Sequence, residues 1–332
     1  MGLERTIHVF SSGTFRQEGN TVCFEGGEGR RFLPVEAVRE ICVHGEVDLN
    51  KRFLEFLSKK EVVLHYFSHY GYYMGSFYPR EHYNSGYMTL RQAEHYLDEE
   101  KRLRLARAFV EGSLGNVLRV EKYYAARGKD LGRTVEGLEA LSRLSGEQGG
   151  VPELMAIEGN ARDLYYRTFD VILEGAGLPF EGRSRRPPEN ELNALLSFGN
   201  SLMYTTVLSE IYKTHLDPRI GYLHTTNARR FSLNLDVAEI FKPIIVDRLI
   251  FTLVGKRMLG KEDFDRERGG LWLKEAARRR FVEAYEERLR ATIRHRKLRR
   301  IVSYRRLIRL ELYKLEKHLL GEETYEPFLA LW

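Results

Sequence analysis

The stretch that divides this chain is Tyr78-Pro79-Arg80-Glu81-His82-Tyr83-Asn84-Ser85-Gly86-Tyr87-Met88-Thr89-Leu90-Arg91-Gln92. Its first half carries Pro79, Asn84 and Gly86 and follows no hydrophobic period, so it reads as a connection. Its second half opens on Thr89 with Gln92 three residues later. That is the spacing of a capping box, in which a hydroxyl and an amide satisfy the free N–H groups of a first helical turn. N-terminal to this stretch, short β-branched and aromatic runs at 6–10, 21–24, 40–44 and 62–67 alternate with turn residues such as Gly19-Asn20 and Gly26-Gly27. Phe53, Leu54, Phe56 and Leu57 interrupt the strands at helical spacing and predict one helix over 50–59, with Asp48 as its cap.

C-terminal to the stretch the period is helical. The capping box heads a long amphipathic helix whose apolar face includes Leu90, Ala93, Leu97, Leu103, Ala106 and Phe109. Further helices are predicted at about 134–145, 152–174, 191–212, 236–258, 271–290 and 304–319, most of them separated by Gly or Pro. The expected fold class is α+β. A small β-rich N-terminal domain (1–78) and a linker (79–88) precede a larger all-α C-terminal domain (89–332). A chain of 332 residues suits two domains of roughly 100–200 residues each.

Composition narrows the function. The net charge is +6 and the isoelectric point is near 9.1, which favours a polyanionic partner, nucleic acid first. The basicity is concentrated: residues 271–310 hold 14 Lys and Arg against four Asp and Glu. Within that segment Arg278, Arg279, Arg280, Arg294, Arg296, Lys297, Arg299, Arg300, Arg305, Arg306 and Arg309 form either a phosphate-binding face or a solvated helix surface. The two cysteines, Cys23 and Cys42, make no Cys-x-x-Cys pair, which excludes a structural zinc and a disulfide framework. With no secretion signal and no long apolar run, the expectation is a reduced cytoplasmic protein without membrane partners. A Walker-type phosphate loop, a dinucleotide fingerprint, a His-Glu-x-x-His pair and a nucleophile elbow are all missing from the sequence.

Three stretches carry the residues suited to chemistry. In Met155-Ala156-Ile157-Glu158-Gly159-Asn160-Ala161-Arg162, Glu158 and Arg162 lie at i,i+4 among apolar neighbours. This is an ordinary surface ion pair, or else a carboxylate turned toward the interior of the helical domain and in need of a cation. In the segment from Gly221 to Pro243, His224 sits in a turn, and Asp236 and Glu239 share one helix face at i,i+3. Either Asp236 caps that helix with Glu239 as its box partner, or the two carboxylates share a divalent ion that relieves their repulsion. In Arg186-Pro187-Pro188-Glu189-Asn190-Glu191 the prolines read as a helix entry.

These segments resemble the CRISPR-associated integrase and endonuclease of spacer acquisition, the larger of the two core adaptation proteins. The resemblance lies in Ile157-Glu158-Gly159-Asn160-Ala161, in Arg186-Pro187-Pro188 running into Asn193-Ala194-Leu195-Leu196-Ser197-Phe198, and in Gly221-Tyr222-Leu223-His224 followed by Ser232-Leu233-Asn234-Leu235-Asp236, Glu239 and Pro243. It continues through Tyr304-Arg305-Arg306 to Tyr325-Glu326-Pro327-Phe328 and so covers essentially the whole chain. Asn200 departs from it, since relatives often carry an aromatic residue after the Ser-Phe-Gly run.

The resemblance implies a metal site made by Glu158, His224 and Glu239, with Asp236 as a nearby acidic residue of the catalytic centre. Carboxylates with one imidazole suit Mg²⁺ or Mn²⁺ and the cutting or joining of DNA phosphodiesters. Iron would suit the same donors, but a single histidine argues against it. Arg162, Arg229, Arg230, Arg294, Arg296, Lys297, Arg299 and Arg300 are the candidate DNA contacts. Implied partners are double-stranded DNA, as protospacer fragment and CRISPR array, a second copy of the chain, and the small second adaptation protein. The resemblance implies that the copies pair through the N-terminal domain, where the aromatic run of Tyr66, Phe67, Tyr70, Tyr72, Tyr73, Phe77 and Tyr78 either covers such a contact or fills the domain's own core. The competing class is a non-catalytic architectural DNA-binding protein, which would act without metal.

Overall fold

The computed structural model describes residues 4–80, 83, 85–185, 187–225, 231–267, 269–295 and 298–331. The chain falls into two compact units, Met1–His82 and Tyr83–Trp332.

The first unit runs β1 (Arg5–Val9), β2 (Gly13–Glu18), β3 (Thr21–Gly26), β4 (Gly29–Pro34), β5 (Val38–Val43), β6 (Val47–Leu49), α1 (Lys51–Lys59), β7 (Val63–Phe67) and β8 (Tyr73–Phe77). These strands form two four-stranded sheets, ordered β1-β5-β7-β8 and β4-β3-β2-β6. In the first, β1, β5 and β7 are parallel and β8 closes one edge antiparallel. In the second, β2, β3 and β4 form an antiparallel meander, with Gly19 at φ 58° in its first turn, and β6 lies parallel to β2. Val9, Ile41 and Leu64 from one sheet, Phe15 and Val22 from the other, and Phe53, Phe56 and Leu57 of α1 share one core. Burial of each such side chain contributes roughly 1.5–3 kcal/mol. The cap of α1 is Asn50, whose side chain accepts the Phe53 N–H at 2.9 Å. Asp48, the expected cap, instead lies in β6 opposite Thr14. In the aromatic run Phe67 is buried, and the other six rings are half-buried, Tyr66 and Phe77 against the core.

The second unit runs α2 (Gly86–Leu97), α3 (Glu99–Ala125), α4 (Gly132–Ser145), α5 (Val151–Tyr166), α6 (Phe169–Ile172), α7 (Glu191–Ile211), α8 (Leu233–Lys242), α9 (Arg248–Gly255), β9 (Phe264–Glu267), β10 (Gly270–Leu273), α10 (Glu275–Arg290), β11 (Thr292–His295), β12 (Arg300–Ser303) and α11 (Tyr304–Leu319). It is not all-α: β9 with β10 and β11 with β12 form two antiparallel hairpins. Strands of four residues are too short to show an alternation, and the Leu271-Trp272-Leu273 run was read as part of the next helix.

Three helices differ from their sequence reading. The first starts at Gly86, inside the expected linker, because Ser85 caps it by accepting the Met88 N–H at 3.2 Å. It ends at Asp98, which caps α3 by accepting the Lys101 N–H at 3.0 Å. That break resets the phase, so Leu90 and Leu97 are exposed and Met88, Gln92 and His95 face inward. Gln92 is no box partner, since its side chain pairs with the Asp217 backbone at 2.7 and 3.1 Å. The helix expected over 152–174 breaks after Tyr166. The one expected over 236–258 starts at Leu233 and passes through a π turn at Pro243–Asp247. Pro243 has no N–H to give the Glu239 carbonyl four residues back, and the ladder widens there.

Helix α3 is the spine of the unit, packing against α4, α5 and α8. A Cβ on Gly112 would meet Pro327 Cβ at 2.7 Å, so glycine there admits the segment that follows α11. Asn116 fixes the contact: its amide donates to the carbonyls of Ile240 (2.8 Å) and Phe328 (3.0 Å), and its oxygen accepts the Ala330 N–H at 2.8 Å. Glu311 accepts from the Tyr325 hydroxyl (2.7 Å) and the Phe328 N–H (2.9 Å).

Candidate active site

Glu158 lies on α5, whose Leu154, Ile157, Ala161 and Tyr165 are buried, and Arg162 follows one turn later. Asp236 and Glu239 lie on α8, which is buried at nearly every position. With α3 packed on both helices, Glu158 and Glu239 meet although 81 residues separate them in sequence. They meet at Arg162, whose Nη2 donates to Glu158 Oε1 and to Glu239 Oε2. The other Glu239 oxygen accepts from Lys242 Nζ at 2.5 Å, and Lys242 also donates to the Tyr204 hydroxyl at 2.5 Å. Glu158, Arg162, Glu239 and Lys242 line one cleft with Ser113, Tyr165, Tyr166 and Asp247.

Asp236 neither caps its helix nor pairs with Glu239. Ser232 precedes the first turn, and the Asp236 carboxylate, fully buried, turns back to the 221–224 segment. Its Oδ2 accepts the N–H groups of Tyr222 (2.6 Å) and Leu223 (3.1 Å). Its Oδ1 accepts the His224 N–H (2.9 Å) and stands 2.7 Å from His224 Nδ1. Gly221 makes this possible, because a Cβ there would stand 2.8 Å from Ser232 C and 2.9 Å from Asp236 Oδ2. The carboxylate thus fixes the imidazole's orientation and leaves Nε2 outside that bond.

The electrostatics follow from burial and these partners. Burial alone would raise the Glu239 carboxyl, but the charges of Arg162, Lys242 and His224 overcome it and hold the group well below the usual carboxylate range. Burial works against the His224 imidazolium, yet the Asp236 hydrogen bond and the Asp236 and Glu239 charges raise its pKa. Burial likewise opposes the Lys242 ammonium, and Glu239 outweighs it. Asp247 is pushed up to about 7, mainly by burial and against the pull of Arg162 and Lys242.

The structure therefore gathers Glu158, Glu239 and Arg162 at one point and ties His224 to Asp236. Among the described residues no three His, Cys, Asp or Glu side chains form a group that holds a metal ion. The donors nevertheless suit a hard divalent cation: two carboxylates converge on a position already filled by positive charge, and the imidazole is held by a buried carboxylate, as ligating histidines usually are. Sequence reasoning missed Lys242, Tyr204 and Asp247. The i,i+3 spacing of Glu239 and Lys242 was a local signal for the first, and nothing local marks the other two.

The basic segment divides. Arg278 is buried, Arg279 pairs with Glu275, Arg280 with Asp263, Arg305 with Glu286 (3.1 Å) and Arg309 with Glu210 (2.6 Å). Arg278, Arg305 and Arg309 are thus structural, whereas Arg279 and Arg280 are exposed members of surface ion pairs. Arg294 on β11, Arg300 on β12 and Arg299 in their turn are exposed. Arg296, Lys297, Arg229 and Arg230 lie outside the described residues. Arg162 is only 17% exposed at its side chain and engaged by carboxylates. Asn200 is buried on α7, and its Oδ1 has no hydrogen-bond partner among the described residues.

The family described as CRISPR associated protein Cas1 matches residues 7–287. The chain is 54% identical over 330 residues to the CRISPR-associated endonuclease Cas1 2 of Thermodesulfovibrio yellowstonii, covering 99% of this chain and 100% of that one. A solved Cas1 structure from Thermotoga maritima superposes with a TM-score of 0.87 at 50% identity, over 98% of this chain and 99% of that one. A casposase bound to its integration product shares the fold at 20% identity, with a TM-score of 0.84 over 99% and 94% of the two chains. On its sequence and along nearly its whole length, this chain belongs to the Cas1 family.

Proposed function

We propose that the chain is a divalent-metal-dependent DNA endonuclease and integrase that inserts short foreign DNA fragments into a CRISPR array. Attack of a DNA 3′-hydroxyl on a phosphodiester is the joining step, and water in place of the hydroxyl gives cleavage. The observation that supports this reading is the meeting of Glu158 and Glu239 at Arg162, together with an imidazole that Asp236 holds and that feels the charge of Glu239. Glu158, Glu239 and His224 would hold Mg²⁺ or Mn²⁺. Bound there, the ion supplies Lewis acidity toward the phosphate oxygens and lowers the pKa of the attacking oxygen. The chain does the rest. Asp236 fixes the His224 ring so that Nε2 is the free donor, and Lys242 holds one Glu239 oxygen in place. Positive charge from Lys242 and Arg162 offsets charge developing on the phosphate.

Double-stranded DNA, as fragment and array, is the substrate, with Arg294, Arg299 and Arg300 of the exposed hairpin as phosphate contacts. The active assembly is a homodimer through the N-terminal unit, with two such dimers flanking a dimer of the small second adaptation protein. Among the described residues no helix is long and apolar enough to cross a membrane.

The test is strand transfer of a fluorescent fragment into a supercoiled plasmid carrying an array, with and without Mn²⁺. Glu158→Ala, His224→Ala and Glu239→Ala should each abolish joining while DNA binding persists. Near-wild-type joining by all three variants, or joining in the presence of a chelator, refutes the site.

A further inference from the structure

A single nitrogen, Arg162 Nη2, donates to both site carboxylates. It therefore occupies the point between them that any cation shared by Glu158 and Glu239 would need. We propose that Arg162 is the resident counter-cation of these carboxylates, and that a divalent ion enters the site by displacing its guanidinium. This rests on the metal-site reading above and adds the step that controls loading.

Glu239 is buried with both oxygens in use, Oε2 by Arg162 and Oε1 by Lys242. One of the two cations must yield for a metal to reach it. Lys242 is anchored a second time: its ammonium bonds the Tyr204 hydroxyl at 2.5 Å and lies 4.5 Å from the centre of that ring. Among the described residues the hydrogen bonds of Arg162 go only to the two carboxylates, so its hold is the one that metal replaces. A divalent ion and a guanidinium do not share one point, because like charges at contact in a buried cleft repel strongly. The displaced side chain also has a place to go. Asp247 lines the same cleft, one π turn beyond Lys242, and is the third carboxylate within the field of Arg162. Arg162, together with Lys242, thus balances the charges of half-buried Glu158 and buried Glu239 until metal arrives, and metal affinity is lowered by the cost of breaking its two charge-assisted bonds.

The experiment measures Mn²⁺ binding to the full chain without DNA, by loss of the free-ion paramagnetic resonance signal. Arg162→Met should tighten binding at least tenfold. Arg162→Gln, which keeps one amide donor for a carboxylate, should tighten it at least threefold. Glu239→Gln tests the underlying reading and should weaken binding at least tenfold. If Glu239→Gln binds like wild type, the metal-site reading is wrong. If it weakens binding while the Arg162 variants bind like wild type or more weakly, displacement is wrong. The wild-type protein supplies an arm that needs no variant: phenylglyoxal labelling of Arg162, mapped by peptide mass, should rise at least threefold on adding Mg²⁺, and unchanged or reduced labelling overturns the proposal.

Discussion

Replacing Asp236 by Asn should cost far more stability than replacing the histidine it orients. Asp236 is fully buried and accepts from four donors: the backbone N–H groups of Tyr222, Leu223 and His224 and the imidazole Nδ1. Asn keeps the shape but turns one acceptor oxygen into a donor, so two of those four lose their partner. Each hydrogen bond to a charged group is worth roughly 1.5–3 kcal/mol, which puts Asp236→Asn at about 3–6 kcal/mol. His224→Ala loses one such bond, on a quarter-exposed ring where water screens it, and should cost at most about 1.5 kcal/mol. Urea unfolding followed by circular dichroism gives the two values. Hydrogen exchange of the peptide spanning 219–225 should show lost protection in Asp236→Asn only, at the Tyr222 and Leu223 amides if the amide nitrogen replaces Oδ2 or at the His224 amide if it replaces Oδ1. A stability within about 0.5 kcal/mol of wild type, with those amides still protected, would mean that the carboxylate does not hold this turn.

The His224 pKa is raised in the folded chain, so the stability it supplies is complete below its unfolded value and is lost as pH rises through the folded one. The gap in stability between wild type and His224→Ala should therefore shrink between pH 6 and 9, and a constant gap contradicts the pairing. Glu121, fully buried on α3 with its Oε1 2.8 Å from Thr168 Oγ1, has its pKa pushed up to about 7, chiefly by burial. Stability held by the neutral form is present at low pH and falls as pH rises toward 7, so Glu121→Gln should stabilise by up to about 3 kcal/mol at pH 8 and not at pH 4, read by thermal melts. Neutralising Arg294, Arg296, Lys297, Arg299 and Arg300 together should weaken DNA binding and flatten the plot of log affinity against log salt, and an unchanged slope returns the hairpin to a solvated role. A chain beginning near Ser85 should be a monomer, or a much weaker dimer, by light scattering, whereas a tight dimer moves the contact to the helical unit.

What was legible in the sequence followed the distance over which each signal acts. The four strand runs and the 50–59 helix came from local period and turn residues, and β1, β3, β5, β7 and α1 lie there. Strand β6 spans three residues and strands β9 to β12 four each, too few to display an alternation. The face of α2 was misread because Asp98 breaks the helix, and a polar residue, Gln92, takes the inward position that Leu90 would otherwise claim. In the site, Glu158 with Arg162 and Asp236 with Glu239 were visible as helical spacings. Their actual partners cross between elements: Arg162 reaches Glu239, 77 residues away, and Asp236 reaches back to Tyr222. No periodicity reports such pairings, and the capping reading of Asp236 failed for that reason.

The clasp formed by Asn116, Glu311 and the segment after α11 has a consequence for how the molecule is born. Ribosomes extend a chain from its N-terminus at roughly 5–20 residues per second, so residues 325–330 emerge after every helix they brace. Until then Asn116 lacks two of its three backbone partners, and Phe241 lacks the Phe328 ring that stacks on it at 5.8 Å. The helix bearing Glu239 stays open to water on that side while translation continues. That wall closes only after residues 325–330 have left the ribosome, later than every helix it is built from.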